Sequence, residues 1–495
     1  MKKEEWKSRY GFLLAAIGSS VGLGNIWRFP YLTYDNGGGA FLFLYFFALI
    51  TAGIPILILE FTIGHKFKGS APLVFARINK KWEFFGWWQV LISAVISIYY
   101  SVVIAWAINY FFYAFNLSWG TDTINFFLKN FLGISSAPFD LNGLRLNIAA
   151  ATIFVWIFSY IVLNSGIKRG IEFVNKFLMP TLFIIMIIIV IRGIFLPGAS
   201  IGLNLLFTPD FSKIFDGGAW VDAYGQVFFS LSVAFAIMIT YSSYLPKNAD
   251  ITNNAFITGL MDCGFCLLSA TAVFSVIGFM AYKSGGVIPE NLSGVFLAFA
   301  TIPEAINQMP YFSILIGILF FLAIIFAGFT SEISIIETVI SAFMDKLHRP
   351  RKAITAIYCT FGCIISLLFT TGGGLLILDI VDHFINNFGI VLSGFLEVLL
   401  LGWFFNTTIL KKHANAVSDI KVGVWWDAFI KYVTPFILFM TLCLNFYTDI
   451  VKPYGGYSIN ALLYLGWCVV IFTILLSYLL AKLQWYDKNI FKEQL

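Results

Sequence analysis

Twelve apolar segments long enough to cross a bilayer recur along the whole of this 495-residue chain, and they constrain it more than any other feature. A hydrocarbon core about 30 Å thick takes about 20 apolar residues of helix. The segments lie near residues 11–35, 40–64, 85–114, 147–165, 173–196, 220–243, 254–282, 311–343, 353–371, 375–406, 425–447 and 460–483. With 59% hydrophobic and only 12% charged residues, the chain is expected to be an all-α polytopic membrane protein with twelve transmembrane helices.

Lysine and arginine set the orientation. If the N-terminus is cytoplasmic, roughly 23 of the 31 basic residues fall on that side, from Lys2, Lys3, Lys7 and Arg9 to Lys482, Lys488 and Lys492, as the positive-inside rule requires. Both termini are then cytoplasmic in a multi-pass protein of the cell membrane. The same asymmetry accounts for the net charge of +5 and gives no reason to invoke nucleic acid. The first span follows a basic start, as a signal peptide would, but it runs on through Asn25 and Arg28 without a small-residue cleavage site, so it reads as retained. The six cysteines lie in apolar spans and read as small hydrophobes, although Cys263-Gly264-Phe265-Cys266 has the spacing of a metal or redox pair.

One span is interrupted. Gly18-Ser19-Ser20-Val21-Gly22-Leu23-Gly24-Asn25-Ile26-Trp27-Arg28-Phe29-Pro30 puts three glycines within seven residues and then Asn, Arg and Pro. In lipid, unwound backbone is tolerated only where it is buried in protein or lines a wet cavity, so such a break marks a site. The free N–H groups of the second half suit a carboxylate, and the freed carbonyls of the first half suit a small hard cation. The glycines by themselves would equally suit a close helix-packing face.

The sixth span repeats the anomaly at Phe228-Phe229-Ser230-Leu231-Ser232-Val233-Ala234-Phe235-Ala236, where hydroxyls and small residues interrupt the apolar run. Spans one to five and six to ten form two sets that each begin with an interrupted helix. Five is odd, so the second set enters the bilayer from the opposite side, and the two breaks face each other at mid-depth. Glu60 sits inside the apolar run of the second span, where a carboxylate costs about 2.5–3.5 kcal/mol on insertion scales. It is expected to support an unwound backbone rather than to bind a ligand. Tyr99 and Tyr100 in the third span are most simply packing residues with satisfied hydroxyls. Further intramembrane acids are Asp262, Glu332, Glu337, Asp379, Asp382 and Glu397, and spans eleven and twelve are expected to be peripheral.

These residues resemble the neurotransmitter:sodium symporters, in particular their bacterial amino-acid branch. The resemblance rests on Gly22 to Pro30, Asn36-Gly37-Gly38-Gly39-Ala40-Phe41, Pro55 with Glu60, Met179-Pro180-Thr181-Leu182-Phe183 and Ala327-Gly328-Phe329-Thr330-Ser331, and it covers residues 4 to 485. It implies the leucine transporter-type 5+5 inverted repeat with helices 1 and 6 broken. The chain then divides into a cytoplasmic segment 1–10, a first repeat 11–196, a second repeat 197–406, peripheral helices 407–485 and a cytoplasmic tail 486–495.

The resemblance also implies ligands. A first sodium ion would lie between the Ser20 carbonyl, Asn25, Ser230, Asp262 and the substrate carboxylate. A second would take carbonyls of Gly18, Val21 and Ala327 with the hydroxyls of Thr330 and Ser331, whose alternative use is bonding back to their own helix. The substrate carboxylate would meet the N–H groups of Leu23 and Gly24 and the Tyr100 hydroxyl, and its amino group the carbonyls near Phe229 and Ser232. Its side chain would pack among Ile96, Phe229, Phe235, Ser331 and Ile335. Gly22 stands where the family's monoamine carriers have aspartate, which favours a substrate with its own carboxylate. Arg28 with Asp382 would gate the outer mouth, and Lys3 with Asp345 and Trp6 the inner one, each exposed pair being worth at most about 1 kcal/mol.

Departures from the family pattern carry their own expectations. Asp262 replaces an asparagine of the family's leucine transporter, one turn before Cys266, which replaces a glutamate. Asp262 is expected to supply the negative charge that chloride supplies in other members, making chloride unnecessary, with Glu60, Glu332 and Glu337 as alternative sources. Ala234 and Ala236 replace frequent glycines. The expected activity is sodium-coupled symport of a neutral, hydrophobic or aromatic amino acid, with two sodium ions and no obligatory protein partner. A proton-coupled or uniport permease of the same fold is the alternative. A channel lacks its carbonyl-filter repeat here, and an enzyme its HExxH or GxSxG motif, with the four histidines scattered at 65, 348, 383 and 413.

Overall fold

Backbone groups in a bilayer must be paired within their own segment, and the chain meets that demand with helix. The computed structural model describes residues 4–288, 292 and 294–486. Lys3 of the expected inner gate lies outside the described residues, as do Lys2 and residues 487–495 of the expected tail. Among the described residues, extended pairing is confined to two isolated bridges, Gly38 with Pro209 and Leu144 with Thr371.

The first expected span is two helices, α1 (Arg9–Ser20) and α2 (Arg28–Asp35), with a single turn at Leu23–Ile26 between them. Ser8 starts α1 by accepting from the Gly11 N–H. Next come the uninterrupted α3 (Gly39–Phe67), α4 (Lys80–Tyr113), α5 (Leu146–Asn164) and α6 (Ile167–Ile194). The sixth expected span is again two helices, α7 (Gly217–Ser230) and α8 (Ile237–Ser243). The remaining six are α9 (Ile251–Lys283), α10 (Ser313–Leu347), α11 (Arg351–Thr370), α12 (Gly374–Trp403), α13 (Val424–Gly456) and α14 (Ile459–Lys482). Among the described residues, ten helices are therefore long and apolar enough to cross a membrane unbroken.

Burial separates an inner set from an outer one. Of the most apolar 18-residue window, 78% is buried in α4 and in α9, but only 33% in α13 and 28% in α14. The half-helix α1 packs against α6, α9 and α10, and α8 against α3. The breaks thus lie in the interior, enclosed by α3, α4, α9 and α10. Cys443 and Cys468 on α13 and α14 are exposed, and Cys263, Cys266 and Cys359 are buried.

Candidate functional site

The first break keeps ordinary backbone geometry. Val21 is extended at φ −77°, ψ 90° and Gly22 at φ −116°, ψ −166°. The turn that follows is capped from within, the Gly22 N–H donating to Asn25 Oδ1 at 3.0 Å. The Leu23 N–H donates to the Tyr100 hydroxyl of α4 at 3.2 Å, which brings together two groups expected to hold a carboxylate. Space is tight at both glycines, Gly22 and Gly24. A methyl on Gly24 would lie 2.5 Å from the Phe229 ring, and one on Gly22 3.0 Å from Ser331 Oγ and 3.1 Å from Tyr100 OH.

The second break is held from outside. Ser232, Ala234 and Ala236 adopt positive φ of 54°, 69° and 69°, a region that L-residues with a Cβ enter at a cost of about 1–2 kcal/mol each. Glu60 on α3 accepts from the Ala234 N–H at 2.6 Å, the support expected of it. Ser393 on α12 donates to the Ala234 carbonyl at 2.7 Å, and Ser93 on α4 to the Phe235 carbonyl at 2.6 Å. Ser232 Oγ crosses to the first break and donates to the Ser19 carbonyl at 2.8 Å.

Between the breaks lies a small cavity of about 30 Å³. It is lined by Ser20, Gly22, Ile96, Tyr100, Phe229, Ser230, Ser232, Phe235, Ser331 and Ile335, all named from the sequence, together with Ser19 and Asn25. Leu23 and Gly24, also named, are not part of this lining, although they contact Tyr100 and Phe229 of it. The lining combines the apolar side chains of Ile96, Phe229, Phe235 and Ile335 with hydroxyls and broken backbone.

The expected first cation set converges on Asp262. Its carboxylate, fully buried on α9, accepts from Asn25 Nδ2 at 2.7 Å, Ser230 Oγ at 2.5 Å and Tyr45 OH at 3.1 Å. Tyr45 on α3 was not singled out in the sequence, where a tyrosine in an aromatic run gives no sign of its hydroxyl's destination. Cys266 is more than a small hydrophobe: its sulfur accepts from Asn25 Nδ2 at 3.1 Å. The second set joins α1 to α10. Ser331 Oγ lies 3.3 Å from the carbonyls of both Gly18 and Ser19, whereas Thr330 Oγ1 bonds back to its own helix, 3.0 Å from the Ala327 carbonyl. Both sets are oxygen-rich and buried, and the Ser19 hydroxyl among them has no partner, which fits a small hard cation.

Arg28 and Asp382, expected to pair across the outer mouth, have other hydrogen-bond partners. Arg28 Nη1 donates to Gln226 Oε1 at 2.9 Å and its guanidinium lies 5.6 Å from the centre of the Phe229 ring, so it covers a wall of the cavity. Asp382 instead accepts from Tyr99 OH at 2.7 Å, so Tyr99 is more than packing. The two charges do not meet because each has a nearer neutral partner. Beside them the end of α13 and the residue after it grip α12: Tyr454 and Tyr457 donate to Asp379 at 3.0 and 2.9 Å, and His383 contacts Asp449 at 2.8 Å. The outermost helices are peripheral in burial, yet the end of α13 contacts α12 beside Asp382.

At the expected inner mouth Trp6 is buried, with Nε1 donating to the Tyr241 carbonyl at 2.9 Å. Asp345 accepts from the Ser70 N–H at 2.8 Å and so starts the short helix Ala71–Ile78. The charges that meet here were not predicted. Arg351 pairs with Glu337 at 2.6 Å and with Glu4 at 3.2 Å, and Tyr244 OH donates to Glu337 at 2.8 Å. Of the alternative charge sources, Glu60 and Glu337 are therefore engaged, and neither oxygen of Glu332 has a partner. Outside the spans, burial together with Lys66 and Lys68 pushes the His413 imidazole down to about 4. Its Nε2 lies 2.9 Å from His65 Nδ1 at the end of α3.

Comparison with known proteins bears directly on this geometry. The sequence profile of the sodium:neurotransmitter symporter family matches residues 3–123 and 120–488. An uncharacterized sodium-dependent transporter of Methanocaldococcus jannaschii is 42% identical over 486 residues, 98% of either chain. A sodium- and chloride-dependent neutral and basic amino acid transporter B(0+) of Mus musculus is 29% identical, covering 96% of this chain and 84% of that protein. A sodium- and chloride-dependent taurine transporter of Canis lupus familiaris is 28% identical over 88% of this chain and 76% of its own.

Proposed function

Because the chain belongs to the sodium:neurotransmitter symporter family, we propose that it carries a neutral amino acid, hydrophobic or aromatic, into the cell together with sodium by alternating access. It is a multi-pass membrane transporter for a small solute, dependent on sodium, and not an enzyme. The observation that carries the finer reading is the cavity where the two breaks meet, whose lining joins broken backbone and hydroxyls to the apolar side chains of Ile96, Phe235 and Ile335. The N–H of Leu23, the Tyr100 hydroxyl and a sodium ion held by Ser20, Asn25, Ser230 and Asp262 would receive the carboxylate. Gly22 leaves no acid for an amine without one. A second ion would lie among Gly18, Val21, Ala327, Thr330 and Ser331.

On this reading α1 with α2 and α7 with α8 each count as one span, which makes twelve. Residues 11–196 and 197–406 are then inverted repeats, and both termini lie in the cytoplasm. Sodium raises substrate affinity because the substrate carboxylate completes the first ion's shell. A tenfold sodium gradient and 100 mV supply about 3.7 kcal/mol per ion, so two ions supply roughly 7 kcal/mol. The Asp262 carboxylate stands in for chloride, unlike the relatives whose names include that ion. Arg28, Asp382, Trp6 and Asp345 act at the two mouths, with Glu60 as support.

Competition by each common amino acid against a bound radiolabelled one, in purified transporter with sodium or with choline, tests the proposal. Sodium-dependent competition confined to neutral amino acids is the expected result. Uptake undiminished in choline would turn the reading to a proton-coupled or uniport permease, and loss of uptake in gluconate would remove the chloride-independent part.

A further inference from the structure

Half of the Asn175 amide is bonded and half is not. The residue is fully buried near the start of α6, and its Nδ2 donates to the Ile171 carbonyl at 2.9 Å, which decides which end of the amide is nitrogen. Oδ1 accepts from nothing in the structure. It is aimed at α1: a methyl on Gly18 would lie 2.5 Å from Asn175 Oδ1 and 3.0 Å from Met179 Sδ. From another side of the same residue, Ser331 Oγ meets the Gly18 carbonyl at 3.3 Å.

The depth of this oxygen follows from the packing of the two helices. Glu172 lies against Gly11 and Met179 against Gly18, seven residues further along both, so α1 and α6 run side by side. Asn175, between Glu172 and Met179, is on the Gly11 side of Gly18, toward the N-terminal segment. That segment is tied down there, the Lys7 N–H and Ser8 Oγ donating to Glu172 at 2.7 and 2.9 Å. An acceptor without a donor thus stands between the second oxygen set and the cytoplasmic end of α6. A buried amide oxygen in want of a positive partner suits a hard cation, and being neutral it lets the ion go.

We propose that Asn175 Oδ1 is a further ligand for the second sodium ion, engaged on the cytoplasmic side of Gly18 as the ion passes between its five-oxygen set and the cytoplasm. The inference rests on the sodium site proposed above and adds a residue from a third helix to a set drawn from α1 and α10.

The test uses radioactive sodium itself on the full-length transporter in proteoliposomes, beside thermal melting. Asn175→Leu keeps the bulk and removes the oxygen. Half-saturation by sodium should stay within about twofold of the unaltered protein, while sodium dissociation toward the cytoplasmic face slows by at least about fivefold. Asn175→Asp keeps an oxygen and adds charge, and should tighten half-saturation by about threefold or more. Unchanged dissociation in a folded Asn175→Leu together with unchanged half-saturation in Asn175→Asp would overturn the inference. If Asn175→Leu does not fold, the Asn175→Asp result decides it. Sodium binding that survives in the unaltered protein but is lost on removing the Thr330 and Ser331 hydroxyls supports the underlying site. An unaltered protein that binds no sodium would remove that site, and this ligand with it.

Discussion

The two interruptions that face each other across the cavity are built by opposite means. At the first, Val21 and Gly22 stay in extended backbone that any residue adopts, and the turn is closed by Asn25, three residues away. At the second, three residues with a Cβ are held at positive φ, by side chains 142 to 174 residues distant in the chain. Distant helices bond both breaks, the first through Tyr100, Asp262 and Ser331, but the first keeps unstrained backbone and closes its own turn, whereas the second depends on α3, α4 and α12 to hold strained backbone.

The comparison is broken most severely at Glu60. Glu60→Ala leaves the buried Ala234 N–H without its acceptor, costing about 1–3 kcal/mol for that group and releasing the strained loop besides. We expect a clear fall in melting temperature and loss of substrate binding, with Glu60→Gln milder because an acceptor oxygen remains. Unchanged melting in Glu60→Ala would show that the second break supports itself. At the first break, Gly22→Ala should do the reverse. Its backbone is unstrained, so melting should hardly move, but the methyl intrudes between Ser331 and Tyr100, and binding should weaken about tenfold, or about 1.4 kcal/mol.

Smaller effects sharpen the contrast. Ser93→Ala and Ser393→Ala each remove one donor from adjacent carbonyls and should each cost about 1 kcal/mol of stability, read by thermal melting with substrate and without. Smallest is Ala236→Gly, where relief of positive φ, about 1–2 kcal/mol, is partly cancelled by glycine's greater freedom when unfolded, about 0.5–1 kcal/mol. A slight rise in melting temperature is expected. A fall would mean that the Ala236 methyl packs to more effect than its backbone strains.

Much of this was legible in the residues. The ten unbroken helices begin and end within a few residues of their expected bounds in most cases, although α13 runs on to Gly456 where an end at 447 was expected. Both breaks stand where glycine, or serine and alanine, interrupt an apolar run. Glu60 was legible as a support because a lone acid among isoleucines and leucines needs donors. Tyr45, Gln226 and the Glu4–Arg351–Glu337 group were not, since nothing local distinguishes a tyrosine that bonds Asp262 from one that packs. For the same reason the charges at the mouths were matched to each other, although Arg28 turns to Gln226 and Asp382 to Tyr99.

By itself the sequence determined an all-helical membrane chain with two places where helix must fail, because lipid forces each backbone group to find its partner within the same segment. Only the tertiary structure decided how the failures are used: which acid receives Asn25, Ser230 and Tyr45, which side chains hold Ala234, and which amide oxygen is left without a donor beside Gly18. Side-chain partners are chosen by packing between helices far apart in the chain, and no local pattern of residues records that choice.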